Sequence, residues 1–248
     1  MRILKYKKKK DGQYELMLES GKELSLYEEV ILNFDLLLKK TIDEKDLERI
    51  FQMNQEYDVY YVALKSLKTR FKSVKELKDS LLKKQYPQEY VDRAIDKLLK
   101  QGYLDDSSFA KAYINQQLVT TSKGPVKIEK ELLDKGLSSD IIYRELTVFS
   151  KEEQLVKIEK VASRLIKSNR SRGGMVLRKK IIYDLQTLGY DISIIEEGLS
   201  NVEFTDTKDI QKREYDKLYR KLSKKYSGRE LEYKIKEKLY QKGLYYED

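Results

Sequence analysis

The phrase KIEKELLDKGL, at 127–137, returns as KIIYDLQTLGY at 180–190 and as KIKEKLYQKGL at 234–244. Each copy reads Lys, then Ile, then Leu four residues on, Gly four residues after that, and a large apolar residue beyond the glycine. The central leucines, Leu132, Leu185 and Leu239, lie 53 and 54 residues apart. A looser copy, ELKDSLLKKQY at 76–86, puts Leu77 and Leu81 in the Ile and Leu positions 51 residues earlier, with Gln85 in place of the glycine and Tyr86 after it. A period of this length marks stacked supersecondary units, none of which can bury its apolar face alone. The Ile and Leu positions share one helical face and are core positions, and the glycine suits the left-handed backbone just past a helix end.

The rest of each unit follows from the period. A first helix (57–69, 107–119, 151–168, 206–226) leads into a turn rich in Ser, Gly and basic residues (RFKS at 70–73, SKGP at 122–125, RSRGG at 170–174, YSGR at 226–229). The phrase is the second helix. Three units add a third helix, opened by Pro87, by Ser138 or Ser139, and by Asp191, all residue types that favour a helix start. The fourth unit stops after its second helix. Ahead of the repeats, runs at 2–6, 13–18 and 22–26 are separated by Asp11-Gly12 and Ser20-Gly21, hairpin-favouring dipeptides, and predict a small β-meander. Such a ribbon needs a partner, and Leu16, Leu18, Leu24 and Leu26 are the candidate packing face. Asp43 is the expected cap of a following helix that carries Leu47, Ile50 and Phe51.

The expected fold is therefore mainly α: tandem three-helix repeats in an elongated curved array, with a small N-terminal β-meander. The expected divisions are 1–56 for the meander plus a helix, 57–104, 105–149 and 150–200 for three full repeats, and 201–248 for an incomplete fourth. Composition agrees, since only 2 Pro and 11 Gly punctuate 248 residues of which 38% are charged. There is no Cys and no His, which removes disulfides, thiolate and imidazole metal ligands, and the usual general base near neutral pH. No leader-like apolar core and no membrane-length apolar run is present, so a cytoplasmic location is expected.

Charge is unevenly placed on a chain of formal net charge +9. Residues 14–59 hold five basic and twelve acidic side chains, whereas 164–180 hold seven basic side chains and no carboxylate, and 208–242 hold thirteen basic against six acidic. Basic blocks attract polyanions through counterion release, although lysine-rich surfaces also serve solubility alone. The turns and phrase heads supply the candidate contacts to a filament or nucleic acid: Arg70, Lys72, Lys123, Lys127, Arg170, Arg172, Arg178, Lys179, Lys180, Arg229 and Lys234. The phrase lysines Lys127, Lys180 and Lys234 are expected beside second-helix N-termini, where a cation opposes the macrodipole unless an anion is near; a ladder of anion sites would use that arrangement. Among the 20 Tyr, the set Tyr57, Tyr60, Tyr61, Tyr215 and Tyr219 reads as partly buried packing with hydroxyls in water, while Tyr226 and Tyr233 are candidates for base stacking. The adjacent Asp105 and Asp106 invite a metal-site reading. A single pair is not a metal site, and DDSS ahead of FAKAY fits an N-cap.

Three stretches also resemble a known family. ALKSLKTRFKSVKELKDSL at 63–81, with Ala63, Leu64, Leu67, Arg70, Ser73, Glu76, Leu77 and Leu81, is followed by GYLDDSSFAKAY at 102–113 and KGPVKIEKELLDKG at 123–136. In this order they resemble the RecX family of recombination regulators over about residues 57–200. The resemblance implies a cytosolic bacterial protein of tandem three-helix repeats that binds the RecA nucleoprotein filament, lies along its helical groove and limits filament growth or strand exchange. No catalytic activity, cofactor or membrane is expected, and a monomer with weak DNA contact is. The meander and the fourth repeat lie outside the shortest form of the family. A second reading is a basic helical-repeat protein that binds nucleic acid with no obligate protein partner.

Overall fold

A computed structural model describes residues 1–9, 12–169, 171–172, 174–202, 204 and 207–244. The chain opens with the antiparallel strands β1 (Ile3–Lys8), β2 (Gln13–Leu18) and β3 (Glu23–Tyr27), in the order β1-β2-β3. Tyr14 pairs with Leu26 and Leu16 with Leu24, so the period-2 alternation sends Leu16, Leu18, Leu24 and Leu26 to one face, and all four are buried. Short helices α1 (Glu28–Asn33) and α2 (Leu36–Lys39) and a 3-10 turn at Glu44–Asp46 then lead to α3 (Leu47–Thr69). The expected Asp43 cap is absent: Asp43 precedes the 3-10 turn and its side chain makes no capping bond. Ile50 is buried against the sheet, whereas Phe51, expected on the same face, is largely exposed.

The long helix α3 joins the meander to the first repeat without a break. Its first half packs Ile50, Met53 and Tyr57 against the sheet, and its second half buries Val59, Tyr60 and Ala63 in the repeat core. Asp58, between the halves, accepts hydrogen bonds from the hydroxyls of Tyr27 at 2.8 Å and Tyr86 at 2.9 Å, one from each side. The tyrosine hydroxyls here are not left in water: Tyr60 donates to Gln101 and Tyr61 to Glu29.

The repeats follow in order: α4 (Val74–Leu82) and α5 (Gln88–Lys100); α6 (Asp106–Thr120), α7 (Pro125–Asp134) and α8 (Ser139–Leu146); α9 (Lys151–Ser168), α10 (Gly174–Thr187) and α11 (Ile192–Gly198); α12 (Thr207–Leu222) and α13 (Gly228–Gln241). The expected starts are met by side chains that reach back to helix amides, Ser138 to Ile141 and Asp191 to Ser193. The fourth first helix is shorter than the expected 206–226. Helices α10 and α13 start at Gly174 and Gly228, six residues and so nearly two turns ahead of the place where the phrase was expected to open the helix. The chain forms two compact units, Met1–Phe109 with Lys135–Leu137, and Ala110–Asp134 with Ser138–Asp248.

The phrase residues are core residues throughout. Leu77, Leu81, Ile128, Leu132, Ile181, Leu185, Ile235 and Leu239 are all essentially inaccessible to solvent. The glycines close the helices in the left-handed region, at φ 86° for Gly136, 92° for Gly189 and 73° for Gly243, and Gln85 adopts φ 64° at the equivalent place.

Helix termination is only half of the glycine's role. A Cβ on Gly189 would fall 2.5 Å from the backbone nitrogen of Lys127, at the start of α7, and one on Gly136 would fall 2.6 Å from the Lys75 side chain, at the start of α4. Gly136 and Gly189 therefore each sit against the second helix of the preceding repeat. Gln85, in the first repeat, is exposed and tolerates a side chain.

Substitutions separate these two roles by chemical denaturation. Gly102, at φ 70° with nothing near its absent Cβ, measures backbone strain alone, and Gly102→Ala is expected to cost about 1–2 kcal/mol. Gly136→Ala meets only a flexible lysine and should cost somewhat more. Gly189→Ala meets backbone and should cost about 2–5 kcal/mol from strain and overpacking together. Leu132→Ala, Leu185→Ala and Leu239→Ala should each cost about 2–5 kcal/mol. Leu239, in the last unit, is as buried as the others, beneath Leu218, Leu222 and Leu244.

Candidate functional site

The turn before each second helix was expected to offer free amides and a lysine to an anion. In the first repeat the amides are already engaged. Ser73, fully buried, closes a capping box on α4: its Oγ accepts from the Glu76 amide at 3.1 Å, and Glu76 reaches back to the Ser73 amide. The Val74 amide donates to Asp106 Oδ1 at 2.9 Å. The Ser73 hydroxyl donates to the carbonyl of Lys135 at 2.7 Å, and the Lys135 ammonium pairs with Glu76 at 2.7 Å. Burial alone would raise the Glu76 carboxyl, but Lys135, the Ser73 amide and Arg70 outweigh it and hold it below the usual carboxylate range.

The second repeat solves the same problem with backbone alone. The Gly124 amide donates to the Leu188 carbonyl at 2.7 Å and the Val126 amide to the Gly189 carbonyl at 3.1 Å. Leu188 precedes its phrase glycine as Lys135 does, so equivalent carbonyls are received at equivalent turns, by a serine hydroxyl in one and a glycine amide in the other. Gly124 has no room for a side chain, since a Cβ there would fall 2.4 Å from the Gly189 oxygen. Carbonyl oxygens at the N-terminus of a helix satisfy its orphan donors. The N-termini of α4 and α7 are thus occupied by protein.

The predicted contact residues are spread among these turns and are not gathered at one point. Arg70 is exposed, 3.8 Å from Glu76, and Lys72 is half-buried beside it, its ammonium pushed below the ordinary value by burial and then by Arg70. Lys123 pairs with Glu131 at 2.7 Å, and Lys127 is half-buried with its backbone under Gly189. Lys180 pairs with Asp184 at 2.6 Å and Lys234 with Glu237 at 3.1 Å. Because α10 and α13 start early, these last two lysines lie in the second turn of their helices and not at the N-terminus. Arg172, Lys179 and Arg229 are exposed, Arg178 is half-buried, and Arg170 falls outside the described residues.

Two further clusters of basic side chains lie on first helices, away from the turns. Lys160, Arg164 and Lys167 share a face of α9 with Glu159, and Arg213, Lys217, Arg220 and Lys221 share one of α12 with Glu214 and Asp216, extended just past the helix end by Lys224. The period gives little signal for them, since a shift of 54 residues carries Lys167 to Lys221 but Lys160 to Glu214 and Arg164 to Leu218. Of the stacking candidates, Tyr226 packs against the fourth-repeat core, whereas Tyr233 is exposed with Lys234 over its ring. Lys157, lowered by burial, donates to the carbonyls of Leu118 and Thr121 at the end of α6. The Asp pair is structural: Asp105 accepts from the amides of Ser107 and Ser108, and Asp106 from Val74. Burial raises the Asp106 carboxyl. Among the described residues no three acidic side chains could hold a metal ion, and no helix is long and apolar enough to cross a membrane.

Residues 60–98 match the family model described as "RecX, first three-helix domain", and residues 105–144 match "RecX, second three-helix domain". Proteins named "Regulatory protein RecX" align over nearly the whole chain. The one from Listeria innocua is 32% identical across 96% of this chain and 90% of its own, and that from Streptococcus sanguinis is 31% identical across 100% and 96%. A solved structure titled "Crystal structure of regulatory protein RecX" superposes with a TM-score of 0.70 at 27% identity, covering 79% of this chain and 98% of its own. The RecX structure from Lactobacillus salivarius, at 24% identity and a TM-score of 0.58, shares the fold over 60% of this chain and 97% of its own.

The Glu76 charge gives a pH test. A depressed folded-state value contributes stability that is present above the unfolded value and lost as pH falls through the folded one. Glu76→Gln keeps the capping-box hydrogen bond and removes only the charge. The variant should be less stable than the parent by about 1 kcal/mol near neutral pH, a figure already discounted for the partial exposure of both partners. In urea titrations the gap should close as the medium is acidified below about pH 4. A gap that persisted in acid would mean that the Lys135 ion pair is not its source.

Proposed function

The chain belongs to the RecX family, and on that premise we propose that it binds the RecA nucleoprotein filament and modulates, mainly inhibits, its assembly, ATPase and strand exchange in recombination and repair. The observation that carries this reading is the alignment with proteins named as RecX regulators across 96% of the chain, meander and fourth repeat included. The site geometry supports it. The acidic groups that sequence inspection could take for a catalytic centre are engaged by backbone amides, so the action proposed is by binding, in the cytoplasm, as a monomer and without a cofactor. Basic side chains also outnumber acidic ones on an outward face of α9 and on one of α12, as a polyanionic partner would require.

The alternative, a basic repeat protein recruited to nucleic acid by charge alone, differs in salt dependence. Charge-only binding falls steeply as salt rises, while a filament contact with an apolar component persists. Titration of the protein into RecA turning over ATP on single-stranded DNA should depress the ATPase. An unchanged ATPase, with salt-sensitive binding to bare strands, would favour the alternative. Exchange of Lys160, Lys167, Lys217 and Lys221 for Gln should weaken filament binding more than exchange of Lys7, Lys8 and Lys9, because recognition depends on the placement of charge as well as its amount. The phrase lysines Lys180 and Lys234, paired at 2.6 Å and 3.1 Å with carboxylates on their own helices, should contribute little.

A further inference from the structure

We propose that the cleft between the C-terminal ends of α3 and α5 and the first turn of α6 docks an acidic peptide segment carrying large apolar side chains, supplied by a partner protein. The cleft measures about 680 Å³, and its walls are Leu64, Leu67, Leu99 and Leu104 with Phe71 and Tyr103. Three of these remain open to water in the isolated chain: Phe71 is 68% exposed, Tyr103 59% and Leu99 41%. A contiguous exposed apolar patch of this kind, beside a repeat whose own core is complete, marks an interaction surface.

Charge names the occupant. Lys68 and Lys72 stand on the rim with Arg70 beside them, and neither lysine forms an ion pair with a described residue. Burial and the neighbouring Arg70 lower Lys72, Glu76 offsetting them only in part, and a further carboxylate would relieve it. The acidic group among the lining residues, Asp105, already accepts from the amides of Ser107 and Ser108. A basic rim around an aliphatic floor complements an amphipathic segment whose apolar side chains enter the cleft while its carboxylates meet the lysines.

A nucleobase fits less well, although Phe71 and Tyr103 offer ring faces. Four leucine walls provide no partners for the polar edge of a base, and burying that edge unpaired is costly. Leucine or phenylalanine side chains lose nothing there. The inference goes beyond the filament reading and does not depend on it, because the cleft lies within the first repeat and can be tested without RecA or DNA.

The probe is a fluorescently labelled peptide of about twelve residues with Leu and Phe at helical spacing flanked by Glu and Asp, followed by anisotropy at physiological salt. Its comparators are the same peptide with Lys for the acids, the same peptide with Ala for Leu and Phe, and an oligothymidylate. The acidic apolar peptide should bind saturably, and Phe71→Ser should weaken it at least roughly tenfold, as should Lys68→Glu combined with Lys72→Glu. All of these positions are on the surface, and unchanged circular dichroism verifies that the variants fold. Neither altered peptide should bind. Absence of saturable binding by the acidic apolar peptide would overturn the proposal. So would equal binding by the variants, or an oligothymidylate that binds the parent and loses affinity with the same substitutions, which would make the cleft a base-stacking site.

Discussion

In the second and third repeats the carbonyl groups that end the phrase helix accept hydrogen bonds from the turn that opens the second helix of the repeat before. Leu188 and Gly189 receive the amides of Gly124 and Val126, and Lys135 receives the hydroxyl of Ser73. A helix N-terminus buried without acceptors would be strongly disfavoured, and a chain turning out of a helix carries carbonyls that need donors. Here each deficit satisfies the other. The close approach that permits this requires a glycine in the turning segment, and the second contact adds a glycine in the receiving turn. Other features follow: the spacing of just over fifty residues, the left-handed backbone, and the large apolar residue, Leu137 or Tyr190, buried just beyond the glycine.

Much of this was legible in the sequence because it is local. Helical spacing places Ile128 and Leu132 on one face whatever surrounds them, and Ser138 and Asp191 cap their helices through contacts only two or three residues away. The glycines were read as helix stops, which they are. Their second role was hidden, because it depends on a contact with residues about sixty positions earlier. A trace of it was visible all the same. Gln85 replaces glycine only in the copy with no repeat before it, where the left-handed conformation is exposed and costs some strain but no clash.

Charge was the least legible property. Counting correctly placed an acidic N-terminal section and basic blocks later in the chain, yet composition cannot say which cations are already paired. Lys123, Lys180 and Lys234 have carboxylate partners within 3.1 Å, whereas Lys68 and Lys72, one of them never singled out from sequence, stand beside an exposed apolar cleft. The anion ladder imagined at the second-helix N-termini meets the same limit: the amides of α4 and α7 were taken by distant carbonyls, a serine and Asp106. The further basic side chains of α9 and α12 lie on the first helices, away from those N-termini.

The central claim is that the repeats are held by these reciprocal caps, and native-state hydrogen exchange at the amides of Gly124 and Val126 tests it most directly. If the caps hold the repeats together, both amides should be protected to the level of the interior of α10, around Ile181 and Leu185, because they open only when the following repeat comes away. If they exchange at the rate of an open turn while α7 and α10 stay protected, the caps are incidental and the repeats are held by apolar packing alone.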